Sequence, residues 1–149
     1  MIFNGNDGNA AGKKSISILI NNGLDQSTNQ NTTAQMEQLC TFIKQDIQKR
    51  LRSLGDVTFI TDKKDFTADG KDFLLIYNIL NYNPGSSAAR IMVGFGAGAC
   101  SMDIEYELIG SDKKSITTNK DGCGSGRGWR AVVEKLDKQL VQHISGFLK

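Results

Sequence analysis

Polar and apolar positions alternate from Ser15 to Ile20, with Ile16, Ile18 and Ile20 set against Ser15, Ser17 and Leu19. A period of two predicts a first strand over residues 14–21 with one buried face. The period then changes. Met36, Leu39, Cys40, Ile43, Ile47, Leu51 and Leu54 recur at three- and four-residue steps, which predicts a helix over 32–54 with a single apolar stripe. Thr32 with Gln35 fits a capping box, Arg50 and Arg52 suit the negative end of the helix dipole, and Gly55 can take the left-handed closing conformation. Val57, Phe59 and Ile60 predict a second strand over 56–62, laid parallel to the first by the helical crossover.

Residues 63–71 are charged and turn-like, whereas 73–82 are almost continuously apolar. Such a run predicts a central strand covered on both faces. Met102, Ile104, Tyr106 and Leu108 alternate with Asp103, Glu105 and Glu107, the pattern of an antiparallel strand with one wet face. A turn at 111–114 leads to a short partner strand over 115–119, and the glycines at 122, 124, 126 and 128 make a connector. Trp129, Val132, Val133, Leu136, Leu140, Ile144 and Phe147 form the stripe of a second helix. The expected fold is α+β: a mixed sheet of about five strands with two amphipathic helices on one face, in the order β-α-β-β-β-β-α.

The segment between the third and fourth strands breaks this regularity. Residues 83–99 carry the chain's single proline and then become apolar and glycine-dotted, with Arg90, Ile91, Met92, Val93 and Phe95 in a connection that would ordinarily be polar. Those side chains need cover, either from the domain's own core or from another protein. The Pro-Gly-Ser at 84–86, the Ala-Arg pair at 89–90 and the Val-Gly-Phe-Gly-Ala-Gly run at 93–98, followed by an alternating strand and a short Asp-Lys turn, resemble an uncharacterised bacterial lipoprotein family, a domain of unknown function. The resemblance spans roughly residues 15–148. It implies an exported periplasmic protein, attached to the outer membrane by a lipid anchor that these residues do not contain, with no established activity. In element order the chain is also similar to periplasmic domains of the curli-export lipoprotein and to the amino-terminal domain of the Tol system's propeller protein.

At 149 residues with 39% hydrophobic and 23% charged side chains, the chain suits one ordinary domain over 15–149, preceded by a flexible Asn- and Gly-rich tether over 1–14. No apolar run approaches the ~18 residues of a membrane span. The net charge of +2 gives no footprint for nucleic acid, and the basic residues fall on the outer faces of the predicted helices. The tether lacks the charged start and apolar stretch of a signal peptide; under the lipoprotein resemblance, the anchoring cysteine lies upstream.

Several motifs invite chemistry and fail in context. Gly94, Gly96 and Ala99 match a dinucleotide spacing, but a strand follows them where a pyrophosphate site needs a helix. The glycine run before the last helix, with Arg127 and Arg130, could present amides to an anion, yet it lacks the Gly-Lys-Ser/Thr ending of a P-loop. Asp103, Glu105 and Glu107 point to solvent, and His143, the only histidine, has no nucleophile at a suggestive spacing. Cys40, Cys100 and Cys123 contain no C-x-x-C pair for zinc. A hairpin turning at 111–113 places position 100 opposite 123 or 125, so Cys100 and Cys123 are candidates for a disulfide worth about 3 kcal/mol. Cys40 should remain a thiol on the helical stripe.

No catalytic, metal or cofactor site emerges. The sequence therefore points to a non-enzymatic envelope lipoprotein domain, an accessory or assembly subunit of a surface or secretion complex. Its partners would be other envelope or secretion-system proteins or copies of itself, met through Arg90, Ile91, Met92, Val93 and Phe95. The alternative is a periplasmic small-ligand or lipid-binding protein with the glycine-rich loop as lid.

Overall fold

The computed structural model describes residues 14–23, 33–66, 72–83 and 100–148. They form β1 (Lys14–Asn22), α1 (Thr33–Leu51), β2 (Gly55–Ile60), a 3-10 turn (Lys63–Asp65), β3 (Asp72–Asn83), β4 (Cys100–Ile109), β5 (Ser115–Ser125) and α2 (Trp129–Leu148). The five strands make one mixed sheet in the order β2-β1-β3-β4-β5. Parallel pairing joins β1 to β2 and β3, and antiparallel pairing joins β3 to β4 and β4 to β5. The apolar run at 73–82 thus becomes the middle strand.

Both helices cover one face of the sheet. Ile16 and Ile18 of β1, Leu75, Tyr77 and Ile79 of β3 and Met102, Ile104, Tyr106 and Leu108 of β4 share a core with the stripes of α1 and α2. The opposite face holds a smaller cluster, Leu19, Leu74, Ile76 and Ile109, packed with Phe66. Phe66 lies in the β2–β3 connection, just after the 3-10 turn that Asp62 caps by accepting from the Lys64 amide at 2.9 Å. A charged turn thereby delivers one aromatic ring to the uncovered side of β3.

An extra residue in β3 between Ile79 and Asn81 shifts the register against β4. Because side chains alternate across a sheet, this bulge moves the following residues to the other face: Tyr82 turns into the helix-covered core, while Leu80 is 43% exposed. The β4–β5 turn is pinned to the start of β3, where Ser111 Oγ accepts from the Asp72 amide at 3.0 Å and donates to its carbonyl at 2.7 Å.

Three local expectations change. Gly55 does not close α1 in a left-handed conformation; it opens β2 opposite Lys14, and a Cβ there would run into the Lys14 carbonyl oxygen. The glycine is needed for close approach of two backbones. Strand β5 runs on to Ser125, taking in Gly122 and Gly124 that were expected in a connector. Finally, Phe147 is 45% exposed and Leu148 takes the buried place at the end of α2. The capping pair Thr32 and Gln35 cannot be followed, since Thr32 lies outside the described residues.

Candidate functional site

The proposed contact residues Arg90, Ile91, Met92, Val93 and Phe95 lie outside the described residues, as do Gly94, Gly96 and Ala99. The cysteines can be placed. Cys100 pairs with Ser125 and Met102 with Cys123, so the two candidate cysteines are diagonal neighbours across the β4–β5 ladder. Diagonal Cα atoms in such a ladder lie about 7–8 Å apart, beyond the usual disulfide range, so a bridge would require the backbones to move closer. All three cysteines are thiols here, Cys100 buried and Cys123 half-buried with its Sγ donating to the Gly124 carbonyl at 3.6 Å. Burial pushes the Cys40 thiol above its ordinary range, against the pull of Lys44, so it is a poor nucleophile.

The outward carboxylates behave as solvated groups: Lys120 comes within 3.9 Å of Glu105, and the Asn81 amide donates to Asp103 at 3.5 Å. His143 sits exposed on α2, with Nε2 3.1 Å from Thr117 Oγ1 on β5 and its ring beside Tyr106. The turn before α2 ends at Gly128, whose φ of 115° explains the glycine. Among the described residues, no three His, Cys, Asp or Glu side chains converge as a metal site.

Two features arise where α1 meets α2. The first is an open groove of about 660 Å³ lined by Glu37, Gln38, Thr41, Phe42, Gln45, Trp129 and Arg130. Three of these residues stack together. The Arg130 guanidinium lies 4.4 Å from the Trp129 ring centroid and 5.9 Å from that of Phe42, and the two rings meet edge to face at 5.4 Å. The stack fixes an exposed cation and two half-buried aromatics in one place.

The second feature is buried. Tyr77 Oη on β3 donates to Asp137 Oδ1 on α2 at 2.8 Å, with both residues fully enclosed. Asp137 Oδ2 is buried and meets no donor among the described residues. Within hydrogen-bonding reach of this carboxyl is a second one, that of Asp46 on α1, which also accepts from Arg50 Nε at 3.0 Å. Burial first, and then the facing Asp46, hold the Asp137 carboxyl well above the usual carboxylate range. Burial and Asp137 likewise raise the Tyr77 phenol. The cluster contains carboxyl, phenol and guanidinium groups from three elements, yet its two carboxyls and its phenol are buried, so it is placed to hold the fold rather than to meet a substrate.

A family model for a domain of unknown function, DUF4410, matches residues 8–122. The chain belongs to the DUF4410 family. The matched span contains α1 and β1 to β4 and ends inside β5, so this DUF4410 domain carries Asp46 and Tyr77 within the match and Asp137 beyond it. No curated protein matches the chain. Among solved structures, it is similar to the PelC dodecamer from Paraburkholderia phytofirmans, with 13% identity, a TM-score of 0.56 and coverage of 87% of this chain and 85% of that one. A point variant of the same dodecamer gives 14% identity, a TM-score of 0.54 and coverage of 87% and 84%. At such identities the likeness is one of fold.

Sequence reasoning overlooked both features of the DUF4410 domain's helix seam, although part of the signal was present. Asp46 lies three residues after Ile43, and Asp137 lies four after Val133 and three before Leu140, so each acid occupies a position on its helix's apolar stripe. Phe42 and Arg130 gave no comparable sign, because each acquires its partner only when the helices pack.

Proposed function

We propose that this DUF4410 domain is a non-enzymatic component of the cell envelope, an accessory or assembly subunit that works through protein–protein contacts, self-association first among them. The observation that carries this reading is the Trp129–Arg130–Phe42 stack, because fixed Trp and Arg side chains at the rim of a groove are the residue types that dominate binding energy at interfaces. The fold it shares with PelC supports the reading, since PelC forms a dodecamer. The Arg90 to Phe95 segment supplies a second apolar contact surface in this scheme.

Sedimentation velocity of the wild type, of Arg130→Glu and of the double variant Met92→Asp, Phe95→Asp tests the proposal. The wild type should show concentration-dependent assembly. Either change should reduce assembly while leaving the far-UV circular dichroism intact. A wild type that stays monomeric at high concentration and captures no envelope protein after crosslinking in cells would overturn it. The size of the groove also suits a small ligand, for which sites of about 300–1,000 Å³ are usual. Native mass spectrometry showing a co-purified small molecule that Trp129→Ala releases would favour that second reading.

A further inference from the structure

We propose that Asp137 carries a proton on its enclosed Oδ2 and donates it to Asp46, and that this buried hydrogen bond braces α1 against α2 and β3. Asp137 Oδ1 is already satisfied by the Tyr77 hydroxyl, whereas Oδ2 is enclosed with no donor among the described residues and with the Asp46 carboxyl in reach. Two carboxylates are both acceptors and cannot satisfy one another. A hydrogen on Asp137 changes this: the carboxylic acid donates to Asp46, Asp46 keeps the Arg50 guanidinium, and Tyr77 donates to the acid's other oxygen. A chain of bonds then runs from α1 through α2 to the middle strand. Without that proton, two like charges stand in a dry interior with one guanidinium for both.

The groups acting on Asp137 are Asp46 and Arg50 from α1 and Tyr77 from β3. Asp46 opposes ionisation together with burial, while the Tyr77 bond and Arg50 favour it, and burial is the largest influence. The net direction is upward from the ordinary 3.8. An acid whose folded value exceeds its unfolded one contributes stability that is complete below the unfolded value, falls as pH rises, and is gone above the folded value. The helix seam is accordingly tightest in acid and loosens towards neutral and alkaline pH.

Chemical denaturation of the wild type and Asp137→Asn at matched pH values from 4 to 8 tests the proposal. Asparagine keeps an acceptor for Tyr77 and a permanent N–H donor for Asp46, and it cannot ionise. The ratio of the variant's folding constant to the wild type's should rise by about tenfold for each unit by which the folded carboxyl exceeds its ordinary value within that range. A ratio that is flat or falls with pH would overturn the proposal. Should the variant fail to fold, carbon-detected NMR of the wild-type Asp137 carboxyl gives the answer directly. A midpoint above the usual carboxylate range supports the proton on Asp137, and an ordinary midpoint refutes it.

Discussion

The seam between α1 and α2 is built in two ways, about one helical turn apart on α1 and about two turns apart on α2. At Asp46 and Asp137 it is dry and polar, closed by Tyr77 from below and tied at its edge by Arg50. At Phe42, Trp129 and Arg130 it is wet and aromatic, an open stack on the rim of a groove. The same pair of helices thus carries one site whose alteration should change how tightly the domain folds and another whose alteration should change what it touches. A buried polar group without its partner costs its full desolvation, whereas an exposed cation returns to water at little loss.

The strongest way to perturb the dry end is to remove its packing. Leu136 is fully buried beside Asp137, and Leu136→Ala should cost about 2–5 kcal/mol through lost transfer energy and a residual cavity. No proton is involved, so denaturation curves should show the same loss at pH 5 and pH 8. A loss that varied strongly with pH would mean that the apolar and polar parts of the seam act as one unit.

Tyr77→Phe keeps the ring and removes the donor. Asp137 Oδ1 then loses its donor while still enclosed, and the loss should be about 1–3 kcal/mol. The Tyr77 bond favours the ionised carboxylate, so removing it raises Asp137 still further. The pH-dependent loss of stability should then continue to higher pH and reach a larger total than in the wild type, which equilibrium unfolding at several pH values will show. Arg50→Met acts in the same direction with a smaller effect, about 1 kcal/mol, because the Arg50 side chain is 25% exposed and water shares its work.

The sheet and both helices were legible because their periodicities are imposed by burial, and β3 announced itself by lacking alternation altogether. What was illegible depended on distance in the chain. Gly55 looked like a helix cap because its local setting allowed one; only the pairing of β1 with β2 shows that it admits the Lys14 carbonyl. The far half of β5 was lost among glycines, since an edge strand joined through its backbone to β4 needs no apolar pattern of its own. Asp46 and Asp137 were passed over because only apolar residues were sought on the stripes, although Ile43, Ile47, Val133 and Leu140 already placed both acids on the inner faces of their helices. The diagonal offset of Cys100 and Cys123 was one of two registers open to the hairpin, and it is reached through a shift between Leu108 and Ile109 that no local residue signals.

The wet end should respond to the gentlest change and in the opposite manner. Arg130→Glu removes a guanidinium from the faces of Trp129 and Phe42, costing about 0.5–1 kcal/mol as expected for exposed cation–π contacts. The new carboxylate also stands in a groove that already holds Glu37, which reverses the charge offered to any partner. Thermal melts should therefore shift by only a few degrees and without dependence on the state of Asp137, while assembly in sedimentation velocity is lost. If the variant instead unfolds as readily as Tyr77→Phe and assembles normally whenever folded, the stack belongs to the core and the two ends of the seam are one structural site.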